Sequence, residues 1–208
     1  MPSEERNSNP VLWKAVNEPR ASTVSGSGPT DAALVVAARA GEAWAQEALF
    51  ARHAARLLGL AQRMLGSNDD ADDLVQDAFV RALSQLHRLE NPQAFASWLT
   101  TIAVHGAQKR LRRRRLLVRL GLRTSETHDW DLVVSSSAPP DVTVELRAVY
   151  RVVRDLNAEE RVAFVLRRVE GLELTEIAAT MKLSLATVKR RLAAAEHRFN
   201  RLLRSNEA

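Results

Sequence analysis

The chain contains no cysteine, which excludes disulfide bonds, thiolate nucleophiles and cysteine-ligated zinc. Aromatic residues are scarce, with four tryptophans, five phenylalanines and one tyrosine available to fill a core. No uninterrupted apolar run reaches about 18 residues, so the sequence predicts no transmembrane helix and no stable membrane insertion. The N-terminus lacks a charged segment followed by an apolar stretch, so no secretory signal is predicted. These absences favour a cytoplasmic protein.

Motifs of enzyme chemistry are also missing. We find no HExxH, no glycine-rich phosphate loop and no nucleophile elbow. The acidic cluster at 69–73 lies on successive positions of a predicted helix, so its carboxylates cannot converge on one ion. His105 has no second ligand three or four residues away. The sequence therefore predicts no catalytic activity, no metal and no cofactor, and it argues against a nucleic-acid-modifying enzyme.

The net charge of +5 is unevenly distributed. Residues 31–123 carry 14 basic and 9 acidic side chains, and residues 144–208 carry 13 basic and 9 acidic ones. Between them, residues 124–143 carry four acidic side chains and no basic one. Two basic blocks separated by an acidic spacer predict two modules, each able to approach a polyanion.

Helical periodicity and turn residues set the predicted boundaries. The fold class is all-α, with two small helical domains joined by a flexible acidic linker. Asp31 is predicted to cap the first helix, Gly41 to separate it from the second, and Gly66 to end the second. The predicted units are a disordered arm (1–30), an N-terminal domain (31–118), a linker (119–143) and a C-terminal domain (144–208).

An aspartate-rich helix is predicted after Ser67, a residue type that accepts hydrogen bonds from the first N–H groups of a helix. Its aspartates fall in the first turns, where the helix dipole favours negative charge. An apolar stripe from Leu74 to Leu86 leaves Asp73, Gln76 and Asp77 on the opposite side. On spacing alone, this is the ordinary solvated face of a helix.

The next helix becomes strongly basic. Asn91-Pro92 signals a turn, and an apolar stripe that includes Trp98 follows, which makes Trp98 a core residue. The stripe runs into six cations around the whole helix, which we call the basic collar: Lys109, Arg110, Arg112, Arg113, Arg114 and Arg115. Cations are favourable at a helix C-terminus. We favour phosphate binding, because so many like charges repel unless something neutralises them.

The C-terminal block has the spacing of a helix-turn-helix. A helix from Thr175 to Met181, a tight turn at 182–184 and a long helix from Leu185 place the apolar residues where that motif needs its core. Lys182 in the turn predicts a non-glycine residue near left-handed geometry. The outward face is predicted to enter the major groove. Its proposed DNA contacts are Ser184, Thr187, Lys189, Arg190 and Arg191.

These stretches resemble bacterial RNA polymerase sigma factors of the extracytoplasmic-function group, which are short and have two domains. DDLVQDAFVRAL is similar to the helix that docks on core RNA polymerase, FASWLTTIAVHGAQKRLRRRR to the segment that engages the melted promoter element, and EIAATMKLSLATVKRRL to the promoter-reading helix-turn-helix. The family most often has asparagine at the position of His105 and glycine at that of Lys182.

The resemblance implies a function and its residues. Core polymerase would bind Asp72, Asp73, Gln76 and Asp77, which we call the acidic face. Promoter DNA would contact Asn91, His105 and the basic collar near the melted element, and the helix-turn-helix upstream. The implied partners are core polymerase, promoter DNA and an anti-sigma factor. A stand-alone helix-turn-helix regulator is the alternative, but it leaves the aspartate-rich helix beside the basic collar unexplained.

Overall fold

The computed structural model describes residues 28–122, 153 and 156–206, with side chains as far as Arg201. Most of the predicted arm and of the acidic linker lies outside these residues. The regular structure of the described residues is helical, which confirms the all-α class. The helices are α1 (Asp31–Arg39), α2 (Ala43–Leu65), α3 (Asn68–Ser84), α4 (Phe95–Arg119), α5 (Ala158–Arg168), α6 (Leu174–Met181) and α7 (Leu185–Asn206), with 3₁₀ turns at Leu86–Arg88 and Pro92–Ala94.

Local capping sets the first helix boundaries. The N-cap of α1 is Thr30, whose hydroxyl accepts from the Ala33 N–H, so the prediction that Asp31 caps this helix is wrong. The Asp31 carboxylate instead accepts from Arg52, 2.7 Å away on α2. Gly41 separates α1 from α2 at φ 92°, and Gly66 ends α2 in the left-handed conformation at φ 69°, both as predicted. Ser67 caps α3 by accepting from the Asp70 N–H.

Helices α1 to α4 share one core in the N-terminal domain. Phe95 and Leu99 at the start of α4 are fully buried against it. Trp98 is half-buried and packs on the same core, which confirms its predicted position. An ideal Cβ on Gly106 would lie 2.6 Å from Cδ1 of Leu74, so α3 and α4 approach each other too closely there for a larger residue. The absence of a side chain at position 106 therefore allows the aspartate-rich helix to lie close against the basic one.

The C-terminal domain is built from α5, α6 and α7. Asn157 caps α5 in a reciprocal arrangement with Glu160, as its residue type predicts. Ile177, Met181 and Val188 form the buried core of the helix-turn-helix. Helix α6 begins one residue before the predicted Thr175. Lys182 has φ 55°, which confirms the predicted left-handed turn.

The two domains pack against each other, with α5 against α2 and α4, and α6 against α4. Arg161 is only 5% exposed, and its guanidinium donates to the backbone carbonyls of Met64, Val153 and Leu156. Met64 belongs to the N-terminal domain, so this buried arginine connects the two domains. The predicted linker permits widely separated domains, and no pattern in the sequence indicates this contact.

Candidate protein and nucleic-acid interfaces

The acidic face lies on the solvent side of α3. Its four residues are exposed, whereas Leu74, Ala78 and Phe79 on the other side of the helix are buried. Val80 next to it is 70% exposed, so an apolar side chain is available beside the carboxylates. The structure therefore brings together all four residues that the sequence assigns to this face. An exposed carboxylate array with one apolar neighbour suits a protein partner that carries basic residues.

The basic collar is partly neutralised within the chain. Arg110 pairs with Asp77 at 2.6 Å, Arg114 with Asp70 at 3.3 Å, and Arg112 with Glu159 of the C-terminal domain at 2.9 Å. Lys109, Arg113 and Arg115 are exposed and form no ion pair with another described residue. Charge repulsion is therefore a weaker argument for phosphate binding than the sequence suggests. Arg112 is exposed as well, but Lys109, Arg113 and Arg115 are the collar cations for which no described carboxylate competes with a polyanion.

The two other residues assigned to the melted element lie in different environments. Asn91 is exposed, and its side chain already accepts from the Gln93 N–H at 3.0 Å, which positions the turn before α4. His105 is half-buried where α4 meets the C-terminal domain. The pKa of His105 is lowered by burial and then by the nearby Lys182, while the backbone of Thr180 opposes the shift. His105 thus lies at the contact between the domains, away from Asn91.

Acid is expected to destabilise the protein through its half-buried and buried histidines. Burial lowers the pKa of His53, against the opposing effect of Asp31, and also lowers that of His105, so at acidic pH both bind protons more readily in the unfolded chain. Their stabilising contribution is present above the ordinary histidine pKa and is lost as the pH falls below it. Thermal unfolding followed from about pH 7.5 to about pH 5.5 should show a falling midpoint.

Replacing His105 with glutamine isolates its share of this effect. His105→Gln should give a smaller loss of melting temperature over the same pH range, because its neutral side chain has no proton to bind. His87→Gln is the matched control, since His87 is exposed on the 3₁₀ turn after α3. An equal pH slope for His105→Gln and the wild type would contradict the assignment.

Helix α7 and the turn before it carry the residues that the sequence predicts to face the DNA groove. Ser184 caps it: its hydroxyl accepts from the Thr187 N–H at 3.2 Å and lies 2.8 Å from the Thr187 hydroxyl. Lys189 and Arg190 are exposed. Arg191 is half-buried, and its guanidinium pairs with Glu159 at 2.5 Å. Four of the five residues thus lie at or near a free surface, and the fifth is held by a carboxylate of its own domain.

Three charged residues at the domain contact were not predicted from the sequence: Glu159, Arg161 and Glu170. Glu170 lies 2.6 Å from Arg56 and 3.8 Å from Arg63, both on α2. Of these three, only Arg161 has a sequence context that could indicate burial, because it is a charged residue at the start of an apolar run in α5. Glu159 and Glu170 resemble surface carboxylates in the sequence and give no such signal.

Among the described residues, the histidine and acidic side chains form no cluster that could hold a metal ion. The described helices include none with the length and apolar character of a membrane span.

Both domains match known protein families. The family model described as Sigma-70 region 2 matches residues 49–116, and the model described as Sigma-70, region 4 matches residues 146–198. The first match contains the acidic face and the basic collar, and the second contains the helix-turn-helix. These matches define the class of protein as sigma-70-like.

Individual relatives narrow this class. The ECF RNA polymerase sigma factor SigM of Mycobacterium tuberculosis is 32% identical over 174 residues, which cover 84% of this chain and 85% of SigM. The ECF RNA polymerase sigma-E factor of Escherichia coli is 31% identical over 177 residues, covering 78% and 88%. The chain belongs to the ECF RNA polymerase sigma factors. It is a promoter-specific initiation factor that binds core RNA polymerase and promoter DNA.

Solved structures agree with the fold. CnrH in complex with the cytosolic domain of CnrY is 27% identical to this chain with a TM-score of 0.59, and the match covers 84% of this chain and 97% of CnrH. The sigma factor RpoE in complex with the anti-sigma factor NepR from Bartonella quintana also has a TM-score of 0.59, at 21% identity, covering 76% and 96%.

Proposed function

We propose that α3 and α4, which cross at Gly106, bind two different partners during initiation, one at each of two edges of the N-terminal domain. The acidic face on α3 binds core RNA polymerase through Asp72, Asp73, Gln76 and Asp77. The basic collar on α4 binds promoter phosphates near the melted element, and Asn91 contacts DNA at the turn before it. This proposal rests on the exposure of the four acidic-face residues beside three collar cations that form no ion pair with other described residues.

The C-terminal domain reads the upstream promoter element. Helix α7 enters the major groove with Thr187, Lys189 and Arg190 toward base edges, and Ser184 contacts the backbone at the helix start. Arg191 also contacts DNA once Glu159, its carboxylate partner, is displaced. His105 contributes to the DNA surface only when the domains separate, because the C-terminal domain covers it in the structure described above.

The proposal includes the domain bounds predicted from the sequence. The arm covers residues 1–30, the linker residues 119–143, and the two domains residues 31–118 and 144–208. The protein acts in the cytoplasm, where the polymerase is, and has no catalytic activity or cofactor of its own. An anti-sigma factor that covers the acidic face or the basic collar regulates it, as NepR and CnrY form complexes with RpoE and CnrH.

Run-off transcription tests the proposal. Purified core polymerase free of any sigma factor, together with this protein and a genomic fragment library, is expected to give transcripts that start at defined positions. Initiation should require both domains. Loss of initiation when Thr187, Lys189 and Arg190 are changed to alanine would support the reading role of α7. A chain that binds promoters without polymerase and yields no transcript would favour the stand-alone regulator.

A further inference from the structure

One carboxylate forms ion pairs with two of the proposed DNA-binding arginines. The two oxygens of Glu159 lie 2.9 Å from Arg112 of the basic collar and 2.5 Å from Arg191 of α7. Glu159 is 30% exposed and Arg191 only 19%. A DNA phosphate needs the same guanidinium N–H groups that this carboxylate accepts from. Glu159 thus fills donors on both DNA-binding surfaces and cancels part of their charge.

A second carboxylate forms an ion pair across the domain boundary near the C-terminus of α5, the helix that carries Glu159 in its first turn. Glu170, which follows the C-terminus of α5, is 12% exposed and lies 2.6 Å from Arg56 of α2. Glu159 and Glu170 are eleven residues apart, or roughly 16 Å along a helix. Two ion pairs at this separation, with the buried Arg161 between them, restrain sliding and rotation of one domain on the other. Neither Arg56 nor Arg63 is a proposed DNA contact, so Glu170 acts on the domain arrangement alone.

We propose that Glu159 and Glu170 form an autoinhibitory clamp that keeps the free protein in a closed arrangement with weak affinity for DNA. Binding of a polyanion to the basic collar displaces Glu159, which frees the already exposed Arg112, and separation of the domains then exposes Arg191 and His105. The clamp rests on the proposed DNA-binding role of Arg112 and Arg191. It makes the closed and the DNA-bound arrangements compete for the same guanidinium groups.

Neutral variants of the full-length chain test the clamp. The assay is the affinity of the free protein for a duplex of arbitrary sequence of about 30 base pairs, since phosphate contacts do not depend on sequence. Glu159→Gln should raise the affinity about fivefold, as expected for losing two partly exposed ion pairs. Glu170→Gln should raise it about twofold, because it opens the domains without directly freeing a DNA-binding arginine.

Glu196→Gln is the matched control. It removes the same charge from the same domain, and its ion pair with Arg168 at 2.7 Å does not cross the domain boundary. Its effect measures what the loss of one negative charge does by itself. A gain for Glu159→Gln no larger than that for Glu196→Gln would overturn the proposal.

A distance measurement reads the arrangement directly. Because the chain has no cysteine, Ala51→Cys on α2 and Asn200→Cys on α7 introduce two unique sites for fluorescent dyes, both exposed. Energy transfer between the dyes should fall on adding DNA, and should already be lower in Glu159→Gln and Glu170→Gln. Unchanged transfer in both variants would contradict the clamp even if the affinities differ.

Failure of the clamp is separable from failure of the DNA-binding assignment. Arg113→Gln changes a collar residue that lies outside the clamp and should weaken duplex binding in the same assay. Weakened binding by Arg113→Gln with no gain for Glu159→Gln would reject only the clamp. Unchanged binding by Arg113→Gln would reject the role of the collar.

Discussion

Changing Asp73 to lysine should lower the affinity of the protein for core RNA polymerase by about thirtyfold or more, because placing like charges opposite each other at an interface costs about 2 kcal/mol or more. Asp73 is exposed and has no ion pair with the other described residues, so the fold should not depend on it. The measurement is binding of the full-length chain to purified core polymerase, with thermal unfolding to verify the fold.

Asp73 is a sharper probe than its neighbour Asp77. Lysine at 77 would also lie against Arg110, the present partner of Asp77 at 2.6 Å, and would disturb the basic collar. Glu47→Lys is the matched control: Glu47 is an exposed carboxylate of the same domain, on α2 instead of α3. If Glu47→Lys weakens polymerase binding as much as Asp73→Lys, the effect is one of net charge and the acidic face is not the docking site.

The second large effect is expected from the collar arginines that form no ion pair with other described residues. Changing Arg113 and Arg115 together to glutamine should reduce the salt dependence of promoter binding by the holoenzyme by about two units of log–log slope, since each phosphate contact contributes about 0.9. These two arginines form no ion pair with described residues, so their loss leaves no carboxylate uncompensated there. Promoter affinity at low salt should fall by about one to two orders of magnitude.

The control for this double variant is a second double variant that has the same net charge. Arg81→Gln with Arg201→Gln removes two exposed arginines outside the collar, one on α3 and one on α7. Titrations at several salt concentrations give the slope for each protein. A slope for the collar variant equal to that of the control would mean that Arg113 and Arg115 do not contact phosphates.

Much of each domain could be predicted from the sequence because its determinants are local. Ser67, Gly66 and Asn157 cap or end helices through contacts within four residues, and the apolar stripe of α3 has a helical period. The Asp31 prediction failed for a similar local reason. Thr30, one residue earlier, has the extended backbone of an N-cap, and this leaves Asp31 free to reach α2.

The contact between the domains could not be predicted in this way. Arg112 and Glu159 are separated by 47 residues, and Arg56 and Glu170 by 114, so no periodic pattern connects them. A charged side chain that pairs across domains has the same sequence neighbourhood as one that faces solvent. The pairing of collar arginines with α3 was also hidden, because Asp70 lies in the first turn, where the helix dipole already accounts for a carboxylate, and Asp77 lies on a face that the sequence assigns to solvent or a partner.

The crossing of α3 and α4 at Gly106 has a consequence for how this sigma factor can vary. Leu74 fills the space that a side chain at 106 would need, and Leu74 itself is buried, so it has little room to move. Shifting either helix by one residue would rotate its outer surface by about 100° and would break this fit. An insertion or deletion within either helix is therefore expected to disturb this close approach, whereas one in the flanking turns would leave it intact.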